Sequence, residues 1–265
     1  MKIGIDLSSI DKSSINQGVY SYSIGLVRGF HEIDKKNFYQ IYVNKNLKNH
    51  LKNKIKFKNF KIIEIKNNSS ILKKITTTIN LVFGFIGINT YWIHSNLINI
   101  INSENKKIFE KNSDFMIFLN AHETVYNLSI KSIINFHDIM HKSHPEYLKK
   151  KEIIMRNIVY HNSANSSNYI IASSKSMKNE FINFMKIKKN KIVQISEGVE
   201  KISNSKIKNK KKENKYFFYP AQFWEHKNHI QLIKEFQKFK LKNKNNVKLY
   251  LCGKKKNFYE KIKKF

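Results

Sequence analysis

Tyr216–His229 reads YFFYPAQFWEHKNH. Its first four residues form an apolar, aromatic run of the kind that makes a buried strand, and Pro220 closes it. Ala221–Lys227 is a loop that mixes polar and aromatic groups. Asn228 suits the N-cap of a helix over Ile230–Lys242, in which Ile230, Ile233, Phe236 and Phe239 recur at helical spacing. A loop running from a strand's carboxyl end to a helix's amino end is where α/β proteins hold phosphates. The first helical amides point out of it, and the helix's positive end favours an anion. Lys227 adds a point charge there. Taken alone, the stretch is equally an ordinary strand-to-helix connection with a solvated lysine.

YPAQFWEHKNH, followed one helix later by VKLYLCG at 247–253, resembles the start of the nucleotide-sugar-binding domain of family-4 glycosyltransferases. These are retaining enzymes of the GT-B fold. The resemblance implies an α/β protein of two Rossmann-like, doubly wound domains. It assigns Lys227 and the helix after Asn228 to the donor's diphosphate, and makes Gln222, Trp224, Asn228 and Gly253 substrate-side candidates. One departure stands out. Many members carry an arginine a few residues before the loop lysine, where this chain has Gln222, which hydrogen-bonds but brings no charge. Some members have a glutamine together with the tryptophan and HKNH.

The chain's beginning fits the same architecture. Lys2–Leu7 is a short apolar strand, Ser8–Gln17 a polar loop, Gly18 a break, and Val19 to about His31 a helix with Tyr22, Leu26 and Phe30 on its apolar face. Strand, loop, glycine, helix opens a doubly wound domain. Gly18 serves either a tight turn or a close approach of backbone to ligand. Family-4 enzymes open the same way, and that resemblance raises Gly18 and Tyr20 as substrate-side candidates. Phe38–Val43, Phe60–Ile65 and Phe115–Leu119 are further strands. The lysine- and asparagine-rich Asn44–Asn59 is expected to be exposed, and Asn120–Tyr126 is an exit loop. Ile75–Ser103 carries no Lys, Arg, Asp or Glu and is long enough for a bilayer span. Its interrupting Thr, Asn and His residues and its Gly84 and Gly87 favour buried helix and connection.

After the strand Lys131–Phe136 comes NFHDIMHKSHPEYL, with His137, Asp138, His141 and His144 close together. Three readings stand here. His137 and His141 are four apart, as on a metal-binding helix face, but Pro145 argues against a regular helix and no zinc motif supports metal. The segment also reads as an exposed histidine-rich loop. Third, a His-Asp after a central strand, followed by a proline, resembles the acceptor-side domain of family-4 enzymes, where the histidine faces the reacting sugar. A neutral histidine donates one hydrogen bond and accepts another, and Asp138 is placed to set its tautomer.

Glu152–Ser166 is a helix, Asn168–Ala172 a strand, and Lys175–Phe184 a helix begun by Ser173-Ser174. IIASSKSMKNEF resembles the family's strand–serine–helix unit, so Ser174 is either a cap or a substrate contact. Lys191–Ile195 is a last strand, and Ser196–Glu200 resembles the family's turn at the end of the first domain. Lys201–Asn214 has linker composition. The expected organisation is an acceptor-side domain over 1–200, a linker over 201–214, and the start of a donor domain over 215–265. A doubly wound domain needs roughly 100–200 residues, so the second is expected to be incomplete, with an apolar face left open. The candidates Gly18, His137, Ser174, Lys227 and Gly253 all follow strand ends, where open α/β sheets bind ligands. If the two domains face each other, Lys227 and the Gly253 turn meet His137 and the Gly18 loop across one cleft.

Composition bounds the partners. The 265 residues are 41% hydrophobic and 13% aromatic, enough for packed cores, and carry a formal charge of +31. Such charge invites nucleic acid. Yet Arg28 and Arg156 are the only arginines, the residue type that reads phosphate and guanine bidentately. The lysines are dispersed among Asn and Ile, which share A/T-rich codons with them. No specific nucleic acid is expected. Anionic lipid headgroups would still attract a basic surface, by about 1 kcal/mol per lysine. Cys252 is the sole cysteine, which fits a reducing cytoplasm, and MKIGIDLSS lacks the apolar core of a signal peptide. The expected location is cytoplasmic, with peripheral contact to the inner face of a membrane.

The activity the resemblance implies is hexosyl transfer, with retention, from a nucleotide diphosphate sugar to a hydroxyl of a glycan or lipid-linked acceptor. No metal and no cofactor are required. His137 would orient the reacting groups and Lys227 would stabilise the departing diphosphate. A nucleotide-sugar epimerase of the same fold, a non-catalytic or partner-dependent relative, and a lysine-rich nucleic-acid binder are the alternatives. No GxSxG elbow points to a hydrolase.

Overall fold

The computed structural model describes residues 1–10, 15, 18–52, 54–66, 71–198, 215–243 and 246–265. The chain divides into two compact units, Met1–Glu200 and Lys201–Phe265. The expected linker 201–214, most of the loop after Ser8, and the end of the Ser196–Glu200 turn lie outside the described residues.

The first unit is built on strands β1 (Lys2–Asp6), β2 (Phe38–Val43), β3 (Phe60–Glu64), β4 (Phe115–Phe118), β5 (Lys131–Asn135), β6 (Tyr169–Ala172) and β7 (Ile192–Gln194). They form one sheet in the order β3-β2-β1-β4-β5-β6-β7, parallel throughout. The helices are α1 (Gly18–Ile33), α2 (Lys45–Leu51), α3 (Ile71–Phe85), α4 (Tyr91–Ile101), α5 (Ser103–Asn112), α6 (Met140–Ser143), α7 (Lys150–Ser166) and α8 (Lys175–Met185). Successive side chains of a strand face opposite ways, so a sheet covered on both sides buries every position. Ile3 and Ile5, Tyr39 and Ile41, and Ile117 pack with Ile24 and Val27 of α1 and Leu47 and Leu51 of α2. Tyr42, Met116, Phe118, Ile134 and Phe136 pack on the other face with Phe109 of α5, Tyr160 of α7 and Phe181 of α8. This is a doubly wound Rossmann-like α/β domain. Gly4 is required in it, because a Cβ would stand 2.2 Å from Met116 Sδ and 2.8 Å from the Tyr42 ring.

Three local expectations change. The Asn44–Asn59 stretch is not simply exposed: Asn44 caps α2, accepting from Leu47 N at 2.9 Å, and Leu47, Leu51 and Ile55 are core residues. Lysine and asparagine dominate the composition there, but three apolar side chains four apart are enough to seat one helix face. On α1 the buried stripe is Tyr20, Ser23, Ile24 and Val27, with Tyr22, Leu26 and Phe30 only packed against the core's edge. The uncharged Ile75–Ser103 falls in α3, α4 and a turn at Gly87, whose φ of 83° suits glycine. No helix among the described residues is long and apolar enough to cross a membrane.

The second unit has strands β8 (Tyr216–Pro220) and β9 (Lys248–Cys252), paired in parallel, with α9 (His229–Asn243) between them and α10 (Tyr259–Lys264) after. Phe217 packs edge-on against Phe236 and Phe239 of α9 yet, like Tyr216, Phe218 and Tyr250, stays exposed.

Candidate functional site

In the first unit the sheet order reverses between β1 and β4, since β1 connects outward to β2 and β4 leads the other way. Ligands of open α/β sheets bind at such a switch point, beyond the strands' carboxyl ends. A pocket of about 410 Å³ lies there, lined by Ser8 from the β1 exit and by Ala121, His122, Glu123 and Thr124 from the β4 exit. Asn44, Lys66, Lys73, Asn102 and Asn105 complete its wall. Asp6, buried behind it, accepts from Thr124 Oγ1 at 2.8 Å and Ser8 N at 2.9 Å. Burial raises its pKa, opposed by those hydrogen bonds.

His122 is buried, stacked on Phe118 at 3.8 Å, and burial lowers its pKa to about 3. It is therefore neutral at pH 7. Its Nδ1 accepts from Thr124 N at 3.4 Å, which puts the ring proton on Nε2, and Nε2 has no partner among the described residues. A buried donor left unpaired costs about 1–3 kcal/mol. The cations of the wall are balanced: Lys73 lies 3.4 Å from Glu123 and Lys66 2.9 Å from Glu104. The pocket thus offers hydroxyls, amides and a carboxylate, which is chemistry for a neutral polyhydroxyl ligand.

On the next strand out, His137 follows β5. Its Nδ1 lies 3.3 Å from Glu197 Oε1, and its ring meets Tyr22 of α1 edge-on at 5.0 Å. A carboxylate only accepts, so Nδ1 donates to it, and Nε2 is buried, again with no partner among the described residues. Burial and the nearby Glu197 charge raise the Tyr22 pKa. Asp138 does not orient this ring. Its carboxylate accepts from Arg156 Nη1 at 3.1 Å and from Met140 N at 3.0 Å, tying α6 to α7. His141 is buried against Tyr160, and burial brings its pKa to about 4. His144 lies apart on the surface, 3.1 Å from Glu146. No group of three His, Cys, Asp or Glu side chains among the described residues is arranged to hold a metal ion.

The remaining first-unit candidates have structural duties or none. Tyr20 is a core residue whose hydroxyl lies 2.9 Å from His50 Nε2, so its placement removes it from a ligand surface. Ser174 caps α8, accepting from Met177 N at 3.1 Å. Gly18 begins α1, and a Cβ there would meet nothing within 4 Å, so packing does not demand a glycine.

In the second unit, Phe223 anchors the loop after β8. It is buried against His229 and Tyr259, its N–H donates to Lys254 O, and its carbonyl accepts from Phe258 N. Trp224 Nε1 donates to Gln222 Oε1 at 3.0 Å, and Lys256 Nζ stands 4.7 Å above the indole. Lys227 is exposed, and its carbonyl accepts from the Tyr219 hydroxyl at 2.9 Å. Asn228 starts α9 without the expected cap. Its backbone is left-handed, φ 51° and ψ 40°, a conformation asparagine tolerates, and its carbonyl accepts from Leu232 N. His229 is fully buried, and burial lowers its pKa, opposed by a hydrogen bond to the Ala221 backbone. Gly253 has a packing reason: a Cβ would fall 2.2 Å from Ala221 O, so the two strand exits touch through it. That contact brings Lys254–Lys256 beside the loop. Lys227 is therefore not the only cation beside the loop: Lys256, from the neighbouring exit, stands over Trp224, which is bonded to Gln222.

The sequence reading missed His122, Glu123, Thr124, Glu197 and Lys256. The first three sit in the exit loop NAHETVY of the strand beside β1, which the strand order alone would single out. Glu197 is sixty positions from His137 in the chain, and nothing local links them.

No protein-family model and no curated protein matches the chain. Among solved structures it is similar to a glycosyltransferase from Rickettsia africae ESF-5, at 15% identity and a TM-score of 0.54, over 99% of this chain and 64% of that one. It is also similar to a Listeria monocytogenes protein assigned as a UDP-N-acetylglucosamine 2-epimerase, at 10% identity and a TM-score of 0.51, over 94% of this chain and 61% of that one. The chain thus spans less than two thirds of either protein. At these identities the likeness is one of fold, the Rossmann-like α/β architecture of GT-B enzymes.

Proposed function

We propose that this chain belongs to a retaining sugar transferase that moves a hexosyl group from a nucleotide diphosphate sugar to a hydroxyl of a glycan or lipid-linked acceptor. The first unit would take the acceptor and the second the donor's diphosphate. The observation that carries this reading is the His137–Glu197 pair: an imidazole at the carboxyl end of a central strand whose Nδ1 faces a carboxylate and whose Nε2 is buried and unpartnered among the described residues. A sugar hydroxyl that reached that nitrogen would donate to it and be held for reaction. The neighbouring pocket at His122, Glu123 and Thr124, with its paired cations, suits a neutral sugar better than a polyphosphate. On the donor side, Lys227, the first amides of α9 and Lys256 supply positive charge for a leaving diphosphate, as electrostatic stabilisation requires. Gln222, Trp224 and Asn228 would frame it. The reading needs neither metal nor other cofactor.

A transfer assay with a panel of nucleotide diphosphate sugars and oligosaccharide acceptors tests it, with release of nucleoside diphosphate as readout. Lys227→Ala should raise the donor KM about tenfold, the loss of one charge-assisted contact worth about 1.4 kcal/mol. His137→Ala and Glu197→Gln should lower kcat with little change in donor KM. Full activity in all three variants, or release of an epimerised free sugar nucleotide in place of a transfer product, would overturn the assignment.

A further inference from the structure

The α3–α4 hairpin wears its polarity inside out. On α3, Leu72, Ile75, Val82 and Phe83 recur at intervals that share one helix face, and that face is exposed, as is Ile86 just after the helix, at 67%. The flank beside it turns Thr76 and Asn80 inward, at 2% and 0%. On α4, Trp92 is 77% exposed and Ile100 66%, while His94 and Ser95 are buried. The inversion has a cause. Asn80 bonds His94 Nδ1 at 2.8 Å and accepts from Thr90 Oγ1 at 2.6 Å, and His94 Nε2 lies 3.4 Å from the Tyr126 hydroxyl. The polar faces satisfy one another against the pocket wall, which leaves the apolar faces to the outside.

The rim of this surface is basic. α3 packs on α7 through Gly84, where a Cβ would meet Ile154 at 2.3 Å. That contact sets the start of α7, with Lys149, Lys150 and Lys151 exposed, beside the end of α3, and Lys150 Nζ stands 5.2 Å above the Phe85 ring. The nearby acids are engaged: Glu152 accepts from Lys149 N, Glu146 pairs with His144, and Glu123 with Lys73. From Ile75 to Ser103 there is no charged residue to oppose insertion.

We infer that the outward face of α3 and α4 is a membrane-docking surface, seated in the interfacial layer of an anionic bilayer with the lysines of α7 against the headgroups. Large aliphatic side chains, a tryptophan and bordering lysines are what an interfacial helix uses. Each lysine near such a surface adds about fivefold to partitioning. Charge decides between this occupant and a second copy of the chain: at +31, two copies repel while an anionic bilayer attracts. The inference stands independently of the transferase reading.

Co-sedimentation of the full chain with phosphatidylcholine vesicles, with and without phosphatidylglycerol, tests it. Binding is expected to be at least about tenfold stronger to the anionic vesicles, given several lysines at the rim. Ile86→Glu and Trp92→Glu should each weaken it about tenfold or more, since a glutamate replaces buried apolar contact. Joint replacement of Lys149, Lys150 and Lys151 by Glu should remove the preference for anionic lipid. A readout that leaves the face intact uses Trp224→Phe, after which Trp92 is the only tryptophan: brominated lipid should quench its emission. Absence of vesicle binding, binding indifferent to both Glu variants, or an unquenched Trp92 would each overturn the inference. So would concentration-dependent dimerisation abolished by Trp92→Glu without lipid binding, which would assign the face to a second copy.

Discussion

β1 with α1 and β8 with α9 are the same local construction, a short apolar strand, a polar loop and an amphipathic helix, yet they end in different surroundings. β1 is flanked by β2 and β4, and α1 covers one of its faces, so Ile3 and Ile5 are core residues. β8 pairs with β9 alone, and α9 covers one face only in part, so Phe217 is left 50% and Phe218 57% exposed although both are large apolar side chains. The local pattern writes the element. Burial, and with it stability, comes from neighbours that the pattern does not contain.

The sharpest way to break this comparison is a matched truncation. Phe109→Ala empties a fully enclosed site in the first unit and should cost about 3–5 kcal/mol, whereas Phe218→Ala should cost less than about 1 kcal/mol. Urea unfolding followed by circular dichroism measures both. Equal costs would mean that the second unit buries its aromatics in solution. Acid should test the buried histidines of the first unit next. The folded pKa of His122 is depressed, so between the ordinary 6.5 and about 3 the unfolded chain binds the extra proton. Stability is then full above 6.5 and falls with pH by about 1.4 kcal/mol per unit for this residue. His141 acts in the same direction down to about 4. Asp6, with its pKa raised, works the other way, binding its proton in the folded state first. Thermal unfolding from pH 7 to pH 4.5 should show the loss, and His122→Gln should flatten it.

A third contrast sets two glycines against each other. Gly253→Ala forces a Cβ into the Ala221 carbonyl and should cost about 1–3 kcal/mol, with the second unit's Trp224 emission changing as its loop shifts. Gly18→Ala adds a Cβ to open space and should leave stability within about 0.5 kcal/mol. A fall in activity with Gly18→Ala at unchanged stability would place a ligand against α1.

Most of the first unit was legible because its strands are apolar runs that end in polar loops, and a parallel sheet buried on both faces needs such runs. What escaped depended on partners far away in the chain. α2 hid in a lysine- and asparagine-rich stretch because Leu47, Leu51 and Ile55 matter only once the sheet is there to receive them. The apolar residues of α3 and α4 predicted burial, but the Asn80–Thr90–His94 network claimed the interior. Asp138 follows His137 directly and still bonds Arg156, while Glu197, remote in sequence, holds the imidazole. The strand ends were located from sequence, but which side chains converge there follows from the strand order 3-2-1-4-5-6-7.

The smallest contrast concerns the two helix starts that the sequence treated alike. Ser174 begins α8 as a true cap, its hydroxyl accepting from Met177 N, and Ser174→Ala should cost about 1 kcal/mol. Asn228 begins α9 through a left-handed backbone, for which glycine is at least as well suited. Asn228→Gly should therefore change stability by no more than a few tenths of a kcal/mol. Because the fold asks little of the Asn228 side chain, any loss of nucleotide-sugar binding in Asn228→Gly, read by titration calorimetry at constant unfolding midpoint, assigns that amide to the ligand. Unchanged binding would leave Lys227, Lys256 and the α9 amides to hold the diphosphate without it.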